Sequence, residues 1–401
     1  MRVAVLGAGY AGLTLARRLE RTLPATADLV VVDESTDHLV QHELHRVVRR
    51  PSLADDITVD LGEVLDCDVR QATVTSVDAD DGVATLETAD GEEALTYEVG
   101  AVCLGAETAF FDVPGLRAHA TPLKRLDHAE QIREEFLALQ DGDRVVVGGA
   151  GLSGVQVAGE LVALAREESM DVEVRLLEQE SEVAPTFGES FRRAVRDALV
   201  GEGVTVSTGA RVTGVDADVV RLDDDAEVAY DQLVWTGGIT GSEAMAGDRP
   251  TVRADLRLGE RTFAVGDAAQ VVDSNGEPVP ASASAAIREA RVAGQNVVAL
   301  AEHLGNETGG FEPRLAKYRF DVPGWLVSVG DDAVAQVGPT VVTGRPAMAL
   351  KTTVGAGYLG TVGAVQNATD LVREELGVSL DDADLPDAVP DDIVDVSESE
   401  E

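Results

Sequence analysis

The sequence predicts an α/β protein built on parallel sheets. Short apolar runs rich in β-branched residues alternate with longer stretches of helical periodicity along most of the 401 residues. Two of the apolar runs end in glycine-rich turns that lead directly into a helix. Since 44% of the residues are hydrophobic, the chain can bury the cores of several domains. These observations favour an α/β architecture of two or three domains.

The first glycine-rich turn follows the apolar residues 3–6 and has the spacing GxGxxG. Gly7 suits a turn with an unusual backbone, Gly9 leaves room for a pyrophosphate at the helix N-terminus, and Gly12 lets helix and strand pack closely. The pattern predicts a dinucleotide-binding turn that opens a helix.

A second strand, residues 28–32, ends in Asp33, at the distance from the glycines that a dinucleotide site requires. A carboxylate there would accept hydrogen bonds from the hydroxyls of the adenosine ribose. An ordinary strand and tight turn that bind nothing form the alternative interpretation. We favour the nucleotide because the strand, the glycines, the helix and the terminal acid all occur in register.

A second GxGxxG follows residues 144–148, and its second strand ends in Glu178. The predicted nucleotide-binding residues of this turn are Gly149, Gly151, Leu152, Ser153 and Gly154. A carboxylate at position 178 favours a ribose with a free 2′-hydroxyl, and the next residue is Gln179 rather than a phosphate-binding Arg. The second unit therefore predicts a site for NADH rather than NADPH.

This internal repeat predicts two Rossmann-like dinucleotide-binding domains, of three-layer ββα type, with one flavin and one nicotinamide at their interface. Residues 261–265 lead to Gly266 and Asp267, and such a Gly-Asp pair can hold the ribityl and phosphate groups of a flavin. We also expect a β-meander near residues 69–99 and a smaller C-terminal α+β region. The expected divisions are 1–118 with 245–310 for FAD, 119–244 for NAD(H), 311–379 for a C-terminal interface or membrane-proximal region, and 380–401 for an acidic disordered tail.

The charge balance argues against nucleic acid as a partner. The chain has 73 acidic and 32 basic residues, a net charge of −41. Strong acidity with few lysines resembles proteins of halophilic cytoplasm, where dense salt screens the self-repulsion. We expect an unexported cytoplasmic protein, because no charged-then-apolar leader precedes the first strand. The basic cluster of Arg46, Arg49 and Arg50 is expected on a solvated, ion-paired face.

Cysteine and histidine do not form a recognisable metal or redox motif. Cys67 and Cys103 are the only cysteines and make no CxxC, so we expect two buried small side chains. His42 and His45 could share a helical face, but no cysteine or carboxylate set completes a site. We therefore expect structural roles for these histidines and no metal.

Together these motifs resemble the two-dinucleotide-binding-domain flavoproteins of the glutathione-reductase-like superfamily, and within it the type II NADH dehydrogenases. The resemblance covers roughly residues 1–350. Beyond the paired glycine motifs, the similar segments are 37–41, 104–115, 154–161, 234–238 and 263–269.

The resemblance implies that hydride passes from NADH to FAD and that two electrons then pass to a quinone. It implies FAD contacts for Gly7, Gly9, Tyr10, Ala11, Gly12, Asp33, Gly105, Gly266 and Asp267. It implies NADH contacts for Gly149, Gly151, Leu152, Ser153, Gly154, Glu178, Gly237 and Gly238.

Two departures from the family bear on the electron acceptor. Gln156 stands where the family often has Glu, and Ala283 with Ser284 falls where it has an Ala-Gln pair near the quinone. Gln156 and Ser284 are the candidate catalytic residues beside the flavin, although a Gln cannot relay a proton as a carboxylate does. A soluble NADH-dependent reductase of ferredoxin, rubredoxin or a small molecule is one alternative function. A low-turnover NADH-binding flavoprotein sensor is another.

The C-terminal part raises the question of membrane contact. Residues 352–369 carry no charge but contain four glycines, which disfavours a spanning helix. Peripheral contact with the cytoplasmic face of a membrane is one expectation for this segment. Packing on the flavin domain or in a homodimer interface is the alternative. The acidic residues after 380 would be repelled by anionic lipid.

Overall fold

The computed structural model describes residues 1–305, 311–322 and 324–376. The expected acidic tail, 380–401, lies outside the described residues, as do the last residues of the expected C-terminal region. Strands and helices alternate along the described chain, and the predicted α/β class with parallel, Rossmann-like sheets is confirmed.

The described part of the chain contains short strands in several sheets. In chain order they are β1 (Arg2–Leu6), β2 (Asp28–Asp33), β3 (Asp37–Leu39), β4 (Thr58–Asp60), β5 (Asp68–Gln71), β6 (Thr73–Asp78), β7 (Val83–Thr88), β8 (Gly91–Thr96), β9 (Val99–Val102), β10 (Glu107–Thr108), β11 (Thr121–Pro122), β12 (Arg144–Gly148), β13 (Glu173–Glu178), β14 (Thr205–Thr208), β15 (Val212–Val215), β16 (Val219–Leu222), β17 (Glu227–Ala229), β18 (Gln232–Trp235), β19 (Ile239–Thr240), β20 (Thr251–Val252), β21 (Thr262–Ala264), β22 (Gln270–Val271), β23 (Gly324–Val329), β24 (Asp332–Val337) and β25 (Thr340–Thr343).

The helices flank these sheets, and α1, α7 and α9 follow the two glycine-rich turns and the Gly-Asp pair. In chain order they are α1 (Tyr10–Thr22), α2 (Leu44–Arg49), α3 (Leu53–Asp56), α4 (Leu61–Val64), α5 (Leu116–His119), α6 (Leu126–Leu137), α7 (Leu152–Glu168), α8 (Glu189–Glu202), α9 (Ala283–Gly305), α10 (Arg345–Thr361) and α11 (Val365–Leu376).

The first nucleotide unit is a five-stranded parallel sheet in the order β21-β9-β1-β2-β5. Its central strands are runs of buried β-branched residues, as expected where a parallel sheet is covered on its faces. Helices α1 and α9 pack on each other and against the sheet. The antiparallel strands β6, β7 and β8 form the predicted meander. Strand β21 pairs with β9 although it follows the second unit in the chain.

The second unit repeats this design. Its parallel sheet has the order β11-β18-β12-β13-β14, and strands β15, β16 and β17 form its antiparallel attachment. Strands β12 and β13 occupy the places that β1 and β2 have in the first unit, and α7 follows β12 as α1 follows β1. The internal repeat that the glycine motifs predicted is therefore present in the tertiary structure.

The C-terminal region joins the two units. Its antiparallel sheet β23-β24-β25 packs on α7 and α8, where the ring of Trp325 lies 5.0 Å from that of Phe187. Helix α10 packs on this sheet and also contacts the first unit, where the Tyr358 hydroxyl donates to His38 Nε2 over 2.9 Å, and α11 packs on α3. The expected packing of residues 352–369 on the flavin domain is thus observed for α10. Among the described helices, none has the length and apolarity needed to cross a bilayer.

A buried arginine holds all three parts together. The Arg49 side chain on α2 is 7% exposed, and its guanidinium lies 2.5 Å from Glu167 Oε1 on α7 and 2.8 Å from Asp331 Oδ1 in the turn between β23 and β24. The expectation of a solvated face for this basic cluster is wrong for Arg46 and Arg49, which are buried. The cause is tertiary, because α2 is enclosed between α6 and α7.

Replacing Arg49 by Met should lower the free energy of unfolding by about 2 to 4 kcal/mol, because it leaves acidic groups without the cation that they share across three parts of the chain. Chemical denaturation at constant salt measures the loss. Arg193→Met is the matched control: it breaks an ion pair with Glu189 whose side chains are 68% and 76% exposed, and it should cost less than about 1 kcal/mol. Equal losses in the two variants would contradict a special role for Arg49.

Candidate nucleotide site

The first glycine-rich turn is closed by backbone on one side and open on the other. Gly7 has φ +98°, and a side chain there would collide with the carbonyl group of Cys103. A Cβ at Gly12 would collide with the carbonyl oxygen of Gly7, so helix α1 packs directly against the turn. A Cβ at Gly9 would meet no atom within 4 Å. The turn therefore leaves free space at the N-terminus of α1, which is where a pyrophosphate binds in such a motif.

The carboxylate of Asp33 secures this turn. It accepts hydrogen bonds from the backbone N–H of Ala8 at 2.6 Å and of Ser35 at 2.9 Å. Burial raises the pKa of Asp33, and the two backbone donors partly oppose that rise. The acid lies on the wall of a large cavity, at the position expected for a ribose contact.

The second turn has the same construction. Gly149 has φ +94°, and its Cβ would lie 2.6 Å from the Cα of Gly237. A Cβ at Gly151 would meet nothing within 4 Å, so space is again open at the start of a helix, α7. The Thr236 hydroxyl donates to the carbonyl oxygens of Gly148 and Gly149 at 3.0 Å. Sequence reasoning missed Thr236, which closes the turn from the neighbouring strand.

Glu178 takes the role in the second unit that Asp33 has in the first. Its carboxylate accepts from the backbone N–H of Ala150 at 2.7 Å and of Glu180 at 2.9 Å. Each carboxylate thus accepts two backbone hydrogen bonds. One comes from the N–H of the residue after the first glycine of the motif, and the other from the N–H of the residue two positions after the acid. This pairing explains why a carboxylate ends the second strand in both units.

One cavity of about 3260 Å³ reaches both units and the C-terminal region. The predicted FAD residues on its wall are Gly7, Gly9, Tyr10, Ala11, Asp33, Gly105, Gly266 and Asp267. Of the predicted NADH and catalytic residues, those on the wall are Leu152, Ser153, Gly238, Gln156 and Ser284. The predicted residues that do not line the cavity are Gly12, Gly149, Gly151, Gly154, Glu178 and Gly237. Gly12, Gly149 and Gly154 pack closely within their turns instead, whereas Gly151 faces open space.

A buried acid positions the Gly266–Asp267 pair. Glu289 on α9 is 2% exposed, and its carboxylate accepts from the backbone N–H of Gly266 at 2.7 Å. Arg249 donates to the carbonyl oxygen of Asp267 at 2.6 Å from the other side. Burial raises the pKa of Glu289 to about 7. The sequence analysis missed Glu289, and the one feature that could have indicated it is an acidic residue on the apolar face of a helix.

Gln156 belongs to a buried polar cluster rather than standing alone. Its amide nitrogen lies 3.3 Å from Nε2 of His45, and Lys351 Nζ lies 3.3 Å from the same imidazole nitrogen. Lys351 also donates to Ser328 Oγ at 3.0 Å and lies 3.3 Å from Glu43 Oε2. Burial and the charge of Lys351 hold the pKa of His45 well below its usual range, so this imidazole is neutral and accepts hydrogen bonds at Nε2.

Glu43 supplies the negative charge of this cluster. Burial alone would raise the pKa of Glu43, but Lys351, His42 and Arg46 hold it well below its usual range. Arg46 lies 3.2 Å from Glu43 Oε2. The buried histidines thus have hydrogen-bonding and packing roles, and the described residues contain no group of three ligands suited to a metal.

A second imidazole connects α10 to the first glycine-rich turn. His38 Nδ1 donates to the carbonyl oxygen of Ala8 at 2.9 Å, and its Nε2 accepts from Tyr358. Burial lowers the pKa of His38 to about 4, which keeps this pair of hydrogen bonds in place at neutral pH. Tyr10 packs 4.9 Å from the ring of Tyr358 and bonds His42. The C-terminal region therefore helps to shape the first nucleotide site.

Two glycine-rich turns at helix N-termini, the first lining the cavity and the second reaching it through Leu152 and Ser153, define the class of two-nucleotide oxidoreductases in which a pair of Rossmann-like domains bring their ligands together. Comparison with known families agrees. The family model of the pyridine nucleotide-disulphide oxidoreductases matches residues 1–290, and the chain belongs to this family. The family resemblance and the two-domain nucleotide-binding fold predicted from the sequence are confirmed.

Individual relatives are distant but match over most of their length. Demethylphylloquinone reductase NdbB of Synechocystis sp. is 26% identical over 87% of this chain and 89% of its own. Type II NADH:quinone oxidoreductase Ndh of Mycobacterium tuberculosis is 26% identical over 86% of this chain and 81% of its own. The solved structure of NDH2 from Plasmodium falciparum in complex with NADH superimposes with a TM-score of 0.77 at 14% identity, covering 93% of this chain and 97% of that one.

Replacing Glu178 by Ala should weaken the binding of ADP-ribose to the second unit by about 10- to 100-fold, because the proposed carboxylate acceptor for the ribose hydroxyls is lost. Bound FAD should stay in place. Calorimetric titration with ADP-ribose, which cannot reduce the flavin, measures the affinity. Glu173→Ala is the matched control, because Glu173 begins the same strand but is exposed and pairs with Arg175. Unchanged ADP-ribose affinity in Glu178→Ala would show that the second unit is assigned wrongly.

Replacing Glu289 by Gln should change how stability depends on pH. A pKa raised to about 7 means that the folded state binds more protons than the unfolded state, so ionisation of Glu289 destabilises the fold as pH rises from about 5 to 8. The Gln variant keeps an acceptor for Gly266 and cannot ionise. Its free energy of unfolding relative to the wild type should therefore rise by about 2 to 3 kcal/mol across that window. Denaturation curves at fixed salt test this, and parallel pH profiles would contradict it.

Proposed function

We propose that this protein is an FAD-dependent oxidoreductase that takes a hydride from NADH and passes two electrons to a quinone. The cavity that the first turn and the start of α7 both line carries the proposal, because it gives a nicotinamide and a flavin a common space in which to meet. The relatives named type II NADH:quinone oxidoreductase and demethylphylloquinone reductase support quinone as the acceptor.

The two glycine-rich turns would divide the cofactors between them. The open space beside Gly9, with Asp33 and Asp267 on the wall, fits the pyrophosphate, ribose and ribityl groups of FAD. The open space beside Gly151, with Glu178 at the strand end, fits NADH. Bound FAD supplies a ring that can accept a hydride and deliver two electrons. The chain contributes orientation, exclusion of water and the charges around the ring.

The cluster around Gln156 has an electrostatic and positioning role in this proposal. The amide of Gln156 lies 3.3 Å from the imidazole of His45, and because that imidazole is neutral, neither side chain carries a charge. Lys351, also on the cavity wall, adds positive charge to the cluster beside that of Arg46. An amide cannot relay a proton, so the proton that a reduced quinone needs must come from another group or from water.

The outer part of the cavity wall suits a lipid-soluble acceptor. Leu350 and Val354 on α10 and Val365 at the start of α11 are exposed apolar side chains that also line the cavity. We propose that this apolar edge, named here the α10 edge, contacts the surface of a membrane on its cytoplasmic face and receives the quinone there. Self-association of two copies of the protein through the α10 edge is the alternative.

Anaerobic stopped-flow absorbance in concentrated salt tests the function. NADH should bleach the flavin of the holoenzyme rapidly, and a short-chain soluble quinone should then restore its colour rapidly. Rapid bleaching without recovery would contradict quinone and point to a protein or other small acceptor. Absence of bleaching would contradict NADH and favour a sensor.

The same instrument tests the α10 edge. A long-chain quinone held in phosphatidylcholine vesicles should reoxidise the wild type, and Val354→Asp should lose this reaction about 10-fold while it keeps the reaction with the soluble quinone. Equal rates for the vesicle-bound quinone in both proteins would contradict membrane contact. A concentration-dependent dimer that Val354→Asp dissociates would instead assign the edge to self-association.

A further inference from the structure

Glu289 is a buried acid to which the proposed reaction gives no chemical role. It lies on α9 with 2% of its surface exposed, and its Oε2 accepts a hydrogen bond from the backbone N–H of Gly266 at 2.7 Å. Its other oxygen, Oε1, accepts no hydrogen bond from residues 1–305, 311–322 and 324–376. The carbonyl of a glutamine could accept the same bond from the turn, so this bond by itself does not require an ionisable side chain.

A small cavity of about 10 Å³ adjoins the Glu289 carboxyl group. That volume is enough for about one water molecule. The wall of the cavity also includes the exposed residues Pro280 and Ala281, so the space leads from the carboxyl group toward the protein surface. Gly266 and Asp267 line both this cavity and the large one. The Gly-Asp turn therefore separates Glu289 from the space proposed for FAD.

The charged and titratable groups that face Glu289 come from several neighbouring segments. Burial raises the pKa of Glu289 to about 7, and the charge of Asp267 adds to that rise, whereas the backbone donor and Arg249 oppose it. Burial and the charge of Glu289 raise the pKa values of Cys103 and Tyr318, so both of these stay protonated and neutral. Glu289 can therefore gain or lose a proton near neutral pH.

We propose that Glu289 takes up a proton when the flavin is reduced and releases it when the flavin is reoxidised, and that the small cavity is the route of this proton. The inference rests on the proposed function, because it needs FAD in the first unit. Glu289 is a positioning residue in this role, since its charge acts on the flavin through the turn of Gly266 and Asp267.

The proton balances a charge. A hydride from NADH brings two electrons and one proton, so the reduced flavin carries one negative charge more than the oxidised flavin. That charge raises the proton affinity of a nearby carboxylate, which takes a proton from water in the small cavity and forms an O–H bond. When two electrons leave for the quinone, the charge disappears and the same O–H bond breaks. Over the cycle NADH, quinone and one proton still give NAD⁺ and hydroquinone.

The midpoint potential of the bound flavin measures this coupling without NADH or quinone. Spectroelectrochemical titration of the holoenzyme in concentrated salt is repeated from pH 5.5 to 9.5, and the slope of the potential against pH counts the protons taken up on reduction. Between pH 7 and 8 the wild type should take up about half a proton more per flavin than Glu289→Gln. Above pH 8 the potential of the wild type should be lower than that of the variant, because an ionised carboxylate disfavours the anionic flavin. Below pH 6 the two should converge.

Two further variants separate charge coupling from structure. Glu302→Gln is the matched control, because it removes the same charge from an exposed position on the same helix that lines neither cavity, and its potential should follow the wild-type profile. Glu289→Asp keeps a titratable group and should keep an extra proton.

Infrared spectroscopy of the holoenzyme gives a second readout that does not depend on turnover. The reduced-minus-oxidised difference spectrum of the wild type near pH 7.5 should contain the carbonyl band of a protonated carboxylic acid. Glu289→Gln should lack this band, and Glu302→Gln should keep it. A merely structural role for Glu289 would not produce it.

The outcomes are distinct. If NADH does not bleach the wild-type flavin, or quinone does not restore it, the proposed function fails, and the electrochemical titration still decides this inference. If the potentials of the wild type and Glu289→Gln have parallel pH profiles, the inference is overturned and the proposed function stands. A steeper profile in the wild type between pH 7 and 8, together with the carboxylic acid band, supports the inference.

Discussion

A carboxylate at the end of a strand, bonded to the backbone of a neighbouring turn, is the interaction on which each nucleotide unit depends. Asp33 bonds Ala8, and Glu178 bonds Ala150, in the same geometry. The bond holds a glycine turn beside an open helix N-terminus before any ligand arrives, so binding does not have to order the loop. We propose that the same carboxylates accept hydrogen bonds from ribose hydroxyls, which would link the structure of the turn to the choice of nucleotide.

The C-terminal region converts two similar units into one site. Arg49 connects it to both units through carboxylates, and Tyr358 reaches the first glycine turn through His38. Lys351 brings a positive charge into the buried cluster around Glu43 and onto the cavity wall. A change in the docking of α10 would therefore affect the buried cluster around Glu43 and the first glycine-rich turn together.

Features that depend on short stretches of sequence could be predicted, whereas features formed by residues far apart in the sequence could not. The two glycine turns and their terminal acids follow from local spacing, and the repeat implied the discontinuous first unit. The burial of Arg49 was predicted wrongly because its partners, Glu167 and Asp331, are more than a hundred positions away. Glu289 escaped notice because its position in an alanine-rich helix has meaning only beside Gly266 in the folded chain.

The sequence by itself determined that two dinucleotide-binding units of the same design follow one another, because strand, glycine turn, helix and acid are all local and their steric requirements are strict. Only the tertiary structure decided what surrounds the space between them. The wall of the cavity is made of side chains from both units, from α9 and from α10, which are far apart in the chain. Charge pairing and burial depend on those distances in space, and no periodicity or spacing in the sequence encodes them.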